Sequence, residues 1–109
     1  MCGISGFINH NLSFENQNSI TNHMTSSLMH RGPDDSGIWI QKNNLLSFGH
    51  RRLSIVDLSK HGKQPMISNS GNLVISFNGE IYNFREIRDE LIRLNHKFIS
   101  ETDTEVILA

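Results

Sequence analysis

Cysteine is nearly absent from this chain: one copy in 109 residues, Cys2, directly behind Met1. A single thiol cannot close an intramolecular disulfide, so nothing points to an oxidising compartment. An excess of charge of either sign is lacking too, with ten basic and eleven acidic residues. That balance offers no strong field for gripping nucleic acid or an anionic membrane. No apolar run approaches the roughly 20 residues needed to span a bilayer. The basic and long apolar regions of a secretory signal are missing as well. A soluble, cytoplasmic protein is the expectation, and the sequon at Asn11-Leu12-Ser13 is then a chance match. No Gly-rich phosphate loop, repeat or linker is present. The six histidines (His10, His23, His30, His50, His61 and His96) show no usual metal spacing with cysteine or carboxylate support, so no metal is expected. The length allows one domain at most.

What is present is an alternation of strand and helix. Gly3 to Ile8 reads as a short buried strand. Ile20, Met24 and Leu28 stand four apart, which predicts an amphipathic helix over about 17 to 29. "HRGPDDSG" reads as loop. "IWIQ", "LLSFGH" and "RLSIV" read as three successive strands, with "KNN" turning between the first two. "DLSKHGKQP" is loop and "LVISFN" a strand. Phe84, Ile87, Leu91 and Leu94 repeat at helical spacing, "KFIS" reads as a strand, and "TDTEVILA" starts a helix. Thr102 with Glu105 three residues later fits a capping box there. That helix has barely two turns, so the chain reads as the front part of something longer.

Removal of Met1 would leave Cys2 with a thiol and a free α-amine. Such an amine titrates at roughly pH 8 and can serve as the base for its own thiol. The plain alternative is a small apolar residue opening a buried strand. "FNGEIYN" offers a partner for that chemistry. Asn78 supplies an amide donor beside the backbone N–H of Gly79, the two parts of an oxyanion hole. The competing assignment is a type I′ hairpin turn, which Asn-Gly favours. Arg51 and Arg52 head "RRLSIV", and strand alternation lets only one of them enter a given pocket. Either could offer a bidentate fork to a carboxylate, and both could equally be solvated. Glu80 and Asp103 are acidic candidates for an ammonium group. Capping for Asp103 and a favourable first-turn position for Glu80 are the ordinary alternatives.

Taken in order, "MCGISGF", "HRGPDDSG", "GHRRLSIVDLS", "GKQPM", "FNGEIYN" and "ETDTEVILA" resemble the N-terminal glutaminase domain of glutamine-hydrolysing asparagine synthetases. These are class II glutamine amidotransferases within the N-terminal-nucleophile hydrolases. The resemblance spans residues 1–109. It implies an α+β fold, a four-layer αββα sandwich of two antiparallel sheets, here an incomplete N-terminal portion of it. It implies that Cys2 attacks the side-chain amide of glutamine, with Asn78 and Gly79 as the oxyanion hole. Arg52 would bind the α-carboxylate, with the backbone through Ile55 and Val56 lining the pocket. Glu80 and Asp103 would hold the α-ammonium group.

The family's glutaminase domain runs on beyond this length, and a synthetase domain follows with a Ser-Gly-Gly-x-Asp-Ser loop that is absent here. ATP and Mg are expected in that further domain, and no cofactor in these residues. Glutamine and that domain of the same chain are the implied partners. Glucosamine-phosphate synthases and amidophosphoribosyltransferases match poorly at "HRGPD", "RLSIVD" and "GEIYN". Surface-polysaccharide amidotransferases carry the same blocks and remain an alternative. A glutamine-binding module without catalysis and an inactive fragment are the readings from other classes.

Overall fold

The computed structural model describes residues 1–9, 11–43, 45–54 and 59–109. Among them two antiparallel sheets and three helices define an α+β fold. β1 (Gly3–Ile8), β2 (Asp35–Ile40) and β3 (Leu46–Arg52) make one sheet in the order β1-β3-β2. β4 (Met66–Ile67) and β5 (Val74–Ile75) make a two-stranded ribbon. The helices are α1 (Phe14–Ser26), α2 (Phe84–Arg93) and α3 (Asp103–Leu108). Among the described residues, no helix is long and apolar enough to cross a membrane.

α1 starts earlier than its apolar spacing suggested. Ser13 caps it, its side chain accepting from Asn16 N–H at 3.2 Å. The stripe buried most deeply on the sheet is Gln17, Thr21 and Thr25, while Ile20 is exposed and Met24 and Leu28 are only partly buried. Ile20 is 39% exposed, while Gln17 and Thr21 are at or below 1%. The reason is the sheet's own surface. Ser47 accepts from Gln17 Nε2 at 2.6 Å, and Ser5 hydrogen-bonds Thr25 at 3.2 Å. A methyl added at Gly49 would collide with Thr25 Oγ1. Polar and small groups meet there, so a polar helix face satisfies them. The threonine hydroxyls donate back to the carbonyls four residues earlier, at 2.6 and 2.7 Å, which leaves no donor stranded.

Several other expectations shift. β1 alternates buried with exposed positions instead of being buried throughout, with Ile4 50% and Ile8 67% exposed. It is an edge strand, so its outer side has no neighbour among the described strands. Of "RLSIV", Arg52 completes β3 and Leu53 and Ser54 are in no strand, and Ile55 and Val56 lie outside the described residues. "LVISFN" pairs only at Val74–Ile75. "KFIS" forms no strand. Its Ile99 and Ser100 N–H groups donate to the Glu105 carboxylate instead, at 2.9 and 2.7 Å. Lys42 and Asn43 of "KNN" lie in a turn as expected, with Gln41 N–H closing on Leu46 O at 2.9 Å, and Asn44 lies outside the described residues.

α3 is capped by Thr102, whose side chain accepts from Glu105 N–H at 3.3 Å. Glu105 does not complete a capping box, because its carboxylate is committed to Ile99, Ser100 N–H and Ser100 Oγ. α1 packs on all three strands of the first sheet, and α3 packs on the ribbon and on α2. The Gln64–Pro65 peptide is cis. The segment after β5 then returns to the first sheet, where Ser76 Oγ donates to Gly49 O at 3.3 Å.

Candidate active site

Strand register assembles the first half of the site. In the antiparallel pairing of β1 with β3, Gly3 lies opposite Arg51. One step beyond that ladder brings Cys2 beside Arg52. The sulfur sits 3.3 Å from the N–H of Leu53, which donates to it, and Cys2 is half-buried. Leu53 is steadied in turn from the "HRGPDD" loop: Asp34 Oδ2 accepts from Ser54 N–H at 2.8 Å, and Asp34 N–H donates to Arg52 O at 3.0 Å.

Alternation along β3 separates the two arginines. Arg51 turns to the α1 side, where its Nε donates to Gly32 O at 2.9 Å. Gly32 is needed at that spot, since a side chain would collide with the backbone of Arg51 and Arg52. Arg52 lies on the opposite face, 7% exposed, with Nη1 donating to Ser59 O at 3.0 Å. Its guanidinium also lies against Gly62, where an added methyl would collide with Nη2.

The second half comes from the ribbon and α3. Asn78 and Gly79 follow β5 after Ser76 and Phe77. They do not form a type I′ turn, which requires positive φ at both central residues. Among the described residues only Asn95 and Gly71 have positive φ. A methyl at Gly79 would lie 2.7 Å from Cζ of the Phe77 ring. That close approach, not a left-handed backbone, explains the glycine. Glu80 stands four residues ahead of α2, so it is not a first-turn carboxylate; it is exposed. Asp103 is the first residue of α3, with Thr102 as the cap. Its Oδ2 accepts from Ile81 N–H at 2.9 Å, which ties the stretch after Glu80 to the helix.

One cleft of about 450 Å³ brings together Cys2, Arg52, Asn78, Gly79, Glu80 and Asp103. Every described residue of the expected site borders it, and Arg51 does not. A larger, more open groove of about 780 Å³ runs along β1, lined by residues such as Ile4, Ile8, Leu28 and Phe48. Among the described residues, no titratable side chain lines that groove.

Four contributors were missed in the sequence. Asp34 and the Leu53 N–H hold the thiol's surroundings. His50 is 1% exposed, and its Nε2 lies 3.0 Å from Phe77 O. Burial is the main cause that holds its pKa below the ordinary 6.5. The nearby Arg52 charge adds to this, while the Phe77 bond and Asp35 act the other way. Gln64, 8% exposed, borders the cleft and accepts from Phe77 N–H at 2.6 Å. One signal was available for His50. It stands two residues before Arg52 and so shares its strand face.

A thiol, a side-chain amide next to a glycine N–H, a buried guanidinium and two carboxylates thus share one cleft. The chain belongs to the glutamine amidotransferase domain family, whose model matches residues 1–109. It is 39% identical to asparagine synthetase [glutamine-hydrolyzing] 3 of Bacillus subtilis, over 99% of this chain and 17% of that protein. A putative asparagine synthetase [glutamine-hydrolyzing] 2 of Methanocaldococcus jannaschii is 39% identical over 99% of this chain and 23% of its own length. A probable asparagine synthetase [glutamine-hydrolyzing] of Schizosaccharomyces pombe is 45% identical over 79% of this chain and 15% of its own. The chain thus spans about a sixth to a quarter of these relatives, in the N-terminal portion.

Proposed function

We propose that this domain hydrolyses glutamine to glutamate and ammonia, with Cys2 as the nucleophile once Met1 is removed. The Cys2 α-amine takes the thiol proton, and the sulfur attacks the γ-amide carbon. Asn78 and the Gly79 N–H hold the oxyanion. The proton passes to the leaving nitrogen, ammonia departs, and water cleaves the γ-glutamyl thioester. Arg52 takes the α-carboxylate, and Glu80 and Asp103 take the α-ammonium. Asp103 spends one oxygen on Ile81 and keeps lone pairs for the substrate. The observation that carries this reading is the convergence of six residues, from four separate stretches of chain, on one cleft.

The ammonia then serves ATP-dependent amidation of a carboxylate, aspartate by analogy with the relatives' names, in a separate synthetase domain that holds ATP and Mg. The αββα layering belongs to the same proposal. It is supported by α1 on one sheet and α3 on the other.

Intact mass and two assays on the full-length protein test the reading. Met1 should be absent. Cys2→Ala should abolish glutamate release and glutamine-dependent synthesis, while synthesis from added ammonium persists. Activity that survives with Met1 retained would sink the mechanism. Loss of the ammonium-dependent reaction in a folded Cys2→Ala protein would sink the division of labour.

A further inference from the structure

The two peptide bonds that flank Phe77 are each gripped by a buried side chain. His50 Nε2 lies 3.0 Å from Phe77 O, and Gln64 Oε1 lies 2.6 Å from Phe77 N. A carbonyl has no hydrogen to give, so Nε2 donates and the imidazole carries its proton there. Both side chains are buried and arrive from different elements. His50 comes from β3, two residues before Arg52. Gln64 comes from the loop before β4, and its Nε2 donates to Thr104 Oγ1 at 3.1 Å, next to Asp103. The Phe77 ring packs on Gly79, so Phe77 is coupled to the dipeptide through the chain and through its side chain.

We propose that His50 and Gln64 are positioning residues for glutamine hydrolysis, clamping the backbone on both sides of Phe77 so that the Asn78 amide and the Gly79 N–H meet the oxyanion in register. This rests on the glutaminase reading above and deepens it. Such donors need placement within about 0.5 Å, and a slip of about 1 Å can cost on the order of 100-fold in rate. His50 Nδ1 is buried without a partner among the described residues. A neutral ring leaves only a lone pair there, whereas a protonated ring would strand a buried N–H. The lowered pKa of His50 agrees with a neutral Nε2 donor at neutral pH.

The test uses the full-length protein with Met1 removed. His50→Gln keeps an N–H near the Nε2 position, His50→Leu removes it, and Gln64→Met removes the acceptor. Three quantities are read per folded molecule, with the folded fraction taken from thermal denaturation: kcat for glutamate release, the Kd of glutamine in a Cys2→Ala background, and affinity for the γ-aldehyde of glutamate. The Cys2 sulfur adds to the aldehyde carbon, the C=O π bond opens, and the thiol proton passes to the amine. The adduct's oxygen then occupies the oxyanion position.

His50→Leu and Gln64→Met should each lose about tenfold or more in kcat and weaken the aldehyde by a similar factor. Glutamine Kd should stay within about twofold, and His50→Gln should recover most of the loss. Unchanged aldehyde affinity, a parallel loss of glutamine binding, or equal behaviour of His50→Gln and His50→Leu would overturn the proposal. If one of the two disruptive variants fails to fold, the other decides. If both fail to fold, the clamp serves folding and the proposal falls. A wild-type protein that releases no glutamate defeats the glutaminase reading and this proposal together. An active protein with equally active clamp variants defeats only this one.

Discussion

Arg51 and Arg52 show how one step along a strand changes what a side chain can do. Arg51 donates to a loop carbonyl on the α1 side, while Arg52 borders the cleft. Arg52→Ala should raise the KM for glutamine by about 10- to 100-fold, as expected for lost hydrogen bonds to a charged group. Arg52→Lys should recover little, because an ammonium lacks the planar fork. Arg51→Ala should change KM by less than about threefold, and steady-state kinetics that rank them the other way would refute the assignment.

His50 gives a second expectation at this scale. Its lowered pKa means that the folded protein binds the proton more weakly than the unfolded chain. Its contribution to stability is therefore full above about pH 6.5, declines as the pH falls below that, and levels off past the folded-state pKa. Urea midpoints measured between pH 7.5 and about 4.5 should show this decline, and His50→Gln should remove its share. The residues that border the cleft at Cys2, Arg52, Asn78 to Glu80 and Asp103 were legible because each one sits in a short block of characteristic residues. His50 was not, because its meaning depends on Phe77, 27 residues further along the chain.

Among the elements, α3 turns local chemistry into site geometry. Thr102 caps it, Glu105 gathers the N–H groups of Ile99 and Ser100, and Asp103 opens it at the cleft. Thr102→Ala should cost about 1 kcal/mol, read as roughly fivefold faster hydrogen exchange of the α3 amides in the full-length protein. Unchanged exchange would show that the Glu105 contacts hold the helix alone. The sequence made this helix and α2 legible through capping residues and 3.6-residue spacing. It misplaced α1 because hydrophobicity is a poor guide where a sheet presents serine and glycine. Ile20, Met24 and Leu28 have the right spacing, yet it is Gln17 and Thr25 that hydrogen-bond serines of β3 and β1, with Thr21 buried between them. "KFIS" failed for a related reason. A strand needs a ladder partner, and a buried carboxylate took its N–H groups instead.

The whole molecule is a slab of 44 × 30 × 19 Å, with a radius of gyration of 14.6 Å against about 13 Å for a compact chain of this length. Among the described residues, only Met66 and Val106 are apolar side chains less than a tenth exposed. Residues 1–109 alone should therefore bind a dye specific for apolar surface, associate with rising concentration and show weak near-UV circular dichroism. A monomeric species with a cooperative melt and no dye binding would contradict this. The Asp103–Ile81 hydrogen bond has a further consequence, in time instead of space. It ties in one rim of a cleft bordered by the thiol of the second residue and the carboxylate of the hundred-and-third. A nascent chain on the ribosome carries its only thiol long before the groups that would surround it have been synthesised. Contacts of such sequence separation are slow to form. During synthesis the thiol is therefore an unguarded target for oxidants and electrophiles, and a cell short of reductant would damage this site before the site exists.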